Sequence, residues 1–108
     1  MAPLNPRGGR PRTRLVRHVH QRENRCHLCG LEVDMGLDPN HPLGRSVDEL
    51  VPIADGGDPL DPTNCRLAHR CCNSCRGRRP ITVAIRQRCR ELVRQHLGQH
   101  PAPTVRPW

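Results

Sequence analysis

The apolar pattern along the chain is sparse but periodic in places. Leu15 and Val19 recur at helical spacing with Arg14 and Arg17 on other faces, which predicts a short helix capped by Thr13 and running to about Gln21. Residues 1–12 hold Pro3, Pro6, Gly8, Gly9 and Pro11 and show no periodic apolar face, so they read as a disordered basic arm. After a loop with turn residues at Gly36, Asp38-Pro39 and Pro42-Leu43-Gly44, the stretch SVDELVPI, residues 46–53, reads as a strand. Gly56-Gly57 can supply a positive-φ turn, and Asp61-Pro62 can open a helix. CRLAHRCCNSCR is then expected to be helical to about Arg76, with Gly77 just past its end. A last helix is expected from Thr82 to about Leu97, with Ile85, Cys89 and Leu92 on one side and Arg86, Arg90 and Arg94 on another. Residues 98–108 contain three prolines and read as a flexible tail. No internal repeat is present.

Composition narrows this to one small domain with a thin core. The chain has 108 residues, 34% of them hydrophobic, with 12 Pro and 9 Gly and neither Phe nor Tyr; its single Trp is the last residue. Something besides apolar burial must therefore hold it together. Aromatic base-stacking platforms of the single-strand-binding type are excluded. All 18 basic residues are Arg, so a phosphate loop built on Lys and Schiff-base chemistry are excluded as well. The longest uncharged apolar run, Leu50 to Ala54, is far short of the roughly 20 residues that span a bilayer. With no signal-like segment at the start, the expectation is a protein with no membrane association in a reducing cytoplasm.

Charge is segregated. Residues 1–25 carry a balance of +6 and residues 66–108 one of +9, whereas residues 26–65 hold eight acids against Arg45 alone. Basic flanks around an acidic centre suit a protein that grips a polyanion at its edges and keeps carboxylates for a divalent cation at its middle.

Seven cysteines in such a compartment point to a metal. Cys26 and Cys29 form a C-x2-C pair, and some forty residues later His69, Cys71, Cys72 and Cys75 crowd into the expected helix. Two thiolates on a turn and two soft ligands spaced i, i+3 can close a tetrahedron around Zn2+. Both His69-x2-Cys72 and Cys72-x2-Cys75 have that spacing. Cys65, Cys71 and Cys89 read as small apolar fillers, and His27, between the first two ligands, is expected to face water. With four protein ligands the zinc would be structural.

CHLCG, then VDELVPIADGGDPLDPTNCRLAHRCCNSCRG, resembles the zinc-containing HNH endonucleases, particularly the small ones of phages and prophages. The likeness covers residues 26–79, about half the chain, with six elements in the family's order. It implies an α+β fold: a zinc-stabilised ββα-metal (His-Me finger) domain with flanking helices, here residues 13–97. It places the second zinc pair at His69 and Cys72, makes Asp48 and Asn73 ligands of a catalytic Mg2+ or Mn2+ ion, and has Asn64 fasten the loop between strand and helix. It further implies phosphate contacts from Arg76, Arg78 and Arg79, double-stranded DNA as partner, and a phage terminase as a second partner. The family's strand motif carries a His as general base after the Asp; this chain carries Glu49. Glu49 is then the base itself, or a further metal ligand with His41 or metal-bound hydroxide as base. The expected function is DNA endonuclease, with a non-catalytic zinc-ribbon DNA-binding accessory protein as the alternative.

Overall fold

The structure is a computed structural model that describes residues 8–99. The first seven residues of the expected basic arm and residues 100–108 of the expected tail lie outside those described. The described chain is α+β. Helix α1 (Gly9–Arg22) is followed by a loop-rich segment, strand β1 (Arg45–Glu49), a 3-10 turn (Ile53–Asp55), strand β2 (Cys65–His69), helix α2 (Arg70–Arg76) and helix α3 (Val83–Gln99).

Helix α1 starts five residues earlier than its pattern suggests, with Gly8 and not Thr13 at the cap position. Pro11 is compatible with the first turn because the N–H groups there have no intrahelical acceptor to lose. Thr13 is not the cap; its hydroxyl donates back to the Gly9 carbonyl at 3.1 Å. The gain from the extra turn is Arg12, which is buried against the rest of the fold.

The expected long helix after Asp61 is corrected in kind. Cys65–His69 is a strand, paired antiparallel to β1 with Val47 opposite Leu67 and Glu49 opposite Cys65. Cys65 and Leu67 alternate into the core, each fully buried, and the ladder with β1 outweighs the local cysteine spacing that suggested a helix. Only the last seven residues are helical, closing at Gly77 with φ +56. The strand expected over 46–53 ends at Glu49, and the 3-10 turn takes up its end. Helix α3 runs two residues past Leu97, so Gly98 and Gln99 belong to it; its start is capped by the Thr82 hydroxyl, which accepts from the Ile85 amide at 3.2 Å.

The core is the seam between these pieces: Leu15 and Val19 from α1, Leu28 and Val33 from the Cys loop, Val47, Leu67 and Ala68 from the sheet, and Cys89 and Val93 from α3. Five of its fourteen buried apolar residues are cysteines and none is aromatic. No described helix is long and apolar enough to cross a membrane.

Candidate metal centre and the adjoining cleft

Cys26, Cys29, His69 and Cys72 are all buried, and their ligand atoms lie within 4.8 Å of one another. The loop after α1 supplies the first two; a backbone turn closed by Gly30 N–H to Cys26 C=O at 2.8 Å brings their thiols together, and Gly30 sits at φ +77. His69 ends β2 and Cys72 lies in the first turn of α2, so the second pair straddles a strand–helix junction instead of sharing a helix face.

Zinc bonds of about 2.3 Å to sulfur and about 2.0 Å to nitrogen at tetrahedral angles put ligand atoms roughly 3.5–3.8 Å apart. Cys29 Sγ is 3.4 Å and Cys72 Sγ 3.9 Å from His69 Nδ1. His69 Nε2–H donates to the Glu32 carbonyl at 3.1 Å, which fixes the tautomer and leaves the Nδ1 lone pair for the ion. Backbone amides of Cys29 and Leu31 point at the sulfurs of Cys26 and Cys29, at 3.5 and 3.4 Å, as donors to thiolates do. The electrostatics agree. The thiols of Cys29 and Cys72 hold Cys26 far below an ordinary thiol, while Cys26 and Cys29 push Cys72 far up. Burial opposes the charged form of His69, but the same two thiols raise it to about 10. The four soft donor atoms converge on one buried point, and the donor set fits zinc. Cys75 and Cys71 are half-buried and outside the cluster.

His27 does not face water. Its side chain is 4% exposed, and Nε2 donates to Asp48 Oδ2 at 2.8 Å. Asp48 is held from the other side by Arg76, whose Nη1 lies 3.1 Å from Oδ1. This corrects Arg76 as a phosphate contact: it is 2% exposed, and its guanidinium also donates to the carbonyls of Glu49, Leu50 and Arg79. Its donors are engaged within the fold, and sequence spacing carries no signal of that. Arg78 is exposed and pairs with Asp55 at 3.4 Å; Arg79 is exposed and donates to the Cys75 carbonyl.

The strip of β1 that faces α2 carries Ser46 and Asp48 in register with Asn73 and Arg76 one turn apart. Asn73 Nδ2 donates to Ser46 Oγ at 2.7 Å and to the Val47 carbonyl at 3.2 Å, which leaves Oδ1 as the atom able to accept. Asp48 and Asn73 thus lie on one seam but bond to different neighbours. Glu49 and Asn73, by contrast, line one open cleft of about 910 Å3 between α1 and β1, together with Arg12, Arg17, His20 and Arg45. Arg12 Nη2 is 3.7 Å from the Glu49 carboxylate, and Arg12 also donates to the Pro59 carbonyl. His20 is held below its usual pKa by burial and by Arg45, and its Nε2 has no hydrogen-bond partner among the described residues. Arg12 gave no signal because it sits in the segment read as an arm, and His20 gave none because nothing in the spacing of the expected helix sets it apart.

Asn64 ties the loop between the strands. Its side chain accepts from Val51 N–H at 2.8 Å and donates to the carbonyls of Val51 and Asp58, each at 3.1 Å. His41 Nδ1 accepts from Leu43 N–H at 3.0 Å, within its own loop. Cys65 and Cys89 are fully buried.

No family model matches the chain, and comparison with curated proteins and with solved structures produces no match either. The functional reading therefore rests on the residues themselves.

Proposed function

We propose that this chain is a metal-dependent endonuclease that hydrolyses phosphodiester bonds of double-stranded DNA on a ββα-metal scaffold made of β1, β2 and α2, with a structural zinc at Cys26, Cys29, His69 and Cys72. The observation that carries the reading is Asn73. Both hydrogens of its amide are anchored to β1, which leaves Oδ1 as the atom able to ligate, and Asn73 lines a cleft that Glu49, Arg17 and Arg45 line as well. Oxygen donors of this kind suit a hard cation such as Mg2+ or Mn2+. Such an ion would offset charge on the attacked phosphate and on the departing 3′ oxygen. Asn73 and a carboxylate of the Asp48–Glu49 pair would hold it. Glu49 lines the cleft with Arg12 beside its carboxylate at 3.7 Å, and Asp48 is held between His27 and Arg76. In this reading Glu49 also stands where a proton acceptor for the attacking water is needed, and Asn64 keeps the loop beyond β1 in place.

The internal pairing of Asp48 favours a second reading, a non-catalytic zinc-ribbon DNA-binding accessory protein. Supercoiled plasmid with Mg2+ or Mn2+ separates the two. Nicking by the native protein that falls by roughly a hundredfold or more in Asn73→Ala and Glu49→Gln is the expected result. Absence of nicking under either ion, with DNA still shifted on a gel, would leave the accessory reading in its place.

A further inference from the structure

Most arginines of this chain are structural. Of the sixteen among the described residues, eleven donate to a carbonyl, a carboxylate or a side chain of the fold, from Arg12 on Pro59 to Arg86 and Arg90 on the carbonyls of the Cys loop. Five have no such partner: Arg10, Arg14 and Arg17 on α1, and Arg88 and Arg94 on α3. The first three are not scattered. At 3.6 residues per turn they fall, with Gln21, within about 60° of one another on the side of α1 opposite Leu15 and Val19. All are exposed, and α1 contains no acidic residue. Along the helix axis Arg10 and Arg17 are about 10 Å apart, close to three base-pair steps of duplex at 3.4 Å each. The flank of the same helix bearing Thr13, Arg17 and Gln21 forms one wall of the cleft that Glu49 and Asn73 line.

We infer that the exposed face of α1 is the surface on which duplex DNA docks, with Arg10, Arg14 and Arg17 each neutralising a phosphate and the backbone delivered along Thr13, Arg17 and Gln21 to Glu49 and Asn73. The inference rests on DNA being the partner proposed above, but not on cleavage. It moves the phosphate contacts away from Arg76, whose donors are already engaged, to a helix whose cations are not. Guanidinium groups on an acid-free face have no competing internal anion, so the counterions they release on binding appear directly in the salt dependence of affinity.

The test uses the full-length, zinc-loaded protein and a fluorescein-labelled 24-base-pair duplex, without Mg2+ or Mn2+ so that nothing is cut. Anisotropy titrations from about 50 to about 200 mM NaCl give the slope of log K against log salt. Arg10→Gln/Arg14→Gln/Arg17→Gln should flatten that slope by close to 3 and weaken binding near 100 mM salt by about 10²–10³-fold, with zinc content and circular dichroism unchanged. Arg10→Lys/Arg14→Lys/Arg17→Lys should restore most of the slope. Arg88→Gln/Arg94→Gln, which removes equally unpartnered cations from α3, should change it little. An unchanged slope in the α1 triple variant, or equal losses per charge from α1 and α3, would overturn the inference even if plasmid is nicked. Preference for an RNA duplex through the same three arginines would overturn the choice of DNA. An α1-dependent slope without any nicking would leave this inference standing and remove the endonuclease reading alone.

Discussion

A methyl group placed on Gly57 would lie 1.7 Å from the Val51 carbonyl oxygen, whereas one on the neighbouring Gly56 would meet nothing within 4 Å. The two glycines therefore fail differently when replaced. Gly57→Ala must push apart the loop that Asn64 fastens, and should lose at least about 1–3 kcal/mol of stability, as overpacking does. Gly56→Ala meets only the penalty of a Cβ at φ +90, about 1–2 kcal/mol, and Gly56→Asn should recover part of it. Urea melts of the three variants check the order. Arg76 makes a stronger claim at this scale. Removing it leaves the 4%-exposed Asp48 carboxylate facing His27 alone, so Arg76→Met should cost about 3–5 kcal/mol, and Asp48→Asn in that background should return part of the loss. A variant that kept its stability and lost only DNA affinity would contradict the buried pairing. Cys26, Cys29 and Cys72 were legible as candidate metal ligands from their type and spacing, whereas spacing left His69 and Cys75 both open and only the family resemblance favoured His69, which the cluster contains. The roles of His27 and Arg76 were not legible, because their partners lie 21 and 28 residues away and no local pattern records a burial that depends on them.

At the scale of elements, the junction of β2 and α2 decides the second pair of candidate metal ligands. His69 closes the strand and Cys72 lies in the first turn of the helix, so the backbone between them sets the ligand separation. Cys75 lies one turn further along α2, outside the cluster and half-buried. Cys75→Ala should keep one zinc per chain, and Cys72→Ala should lose it; with Co2+ in place of zinc, the thiolate-to-metal absorption band should persist in the first and collapse in the second. Helix α3 was legible to within two residues because its apolar spacing is sustained over four turns. Strand β2 was not, since CRLAHRCC satisfies a helical spacing of soft ligands as well as a strand's alternation. What distinguishes them is the ladder to β1, a contact some twenty residues distant. The start of α1 was hidden for a related reason: Pro11 and two glycines are poor helix formers in an interior but are tolerated in a first turn.

For the molecule as a whole, stability and metal content should be inseparable. Among the described residues the core has no aromatic side chain, and three of its five buried cysteines belong to the metal cluster, so the apolar area left to hold the fold without an ion is small. Structural zinc in small domains contributes on the order of 10–16 kcal/mol near neutral pH. Stripping it with a chelator of nanomolar zinc affinity should abolish the cooperative thermal transition, and returning one equivalent of Zn2+ should restore it. Acid should do the same, because protons compete with the ion for the three thiolates and the imidazole. An apo protein with an undiminished melting transition would show that the apolar seam suffices.

Arg12 carries a practical consequence. The sequence pattern invites a shortened chain that begins at Thr13, and such a chain would retain every residue of the metal cluster and both strands. It would also lose the guanidinium that bridges Glu49 and the Pro59 carbonyl, and with it the clasp between the amino-terminal helix and the loop before β2. That trimmed protein should bind zinc normally while its Glu49 wall loosens, an effect visible as faster amide exchange around residues 57–60 than in the full chain.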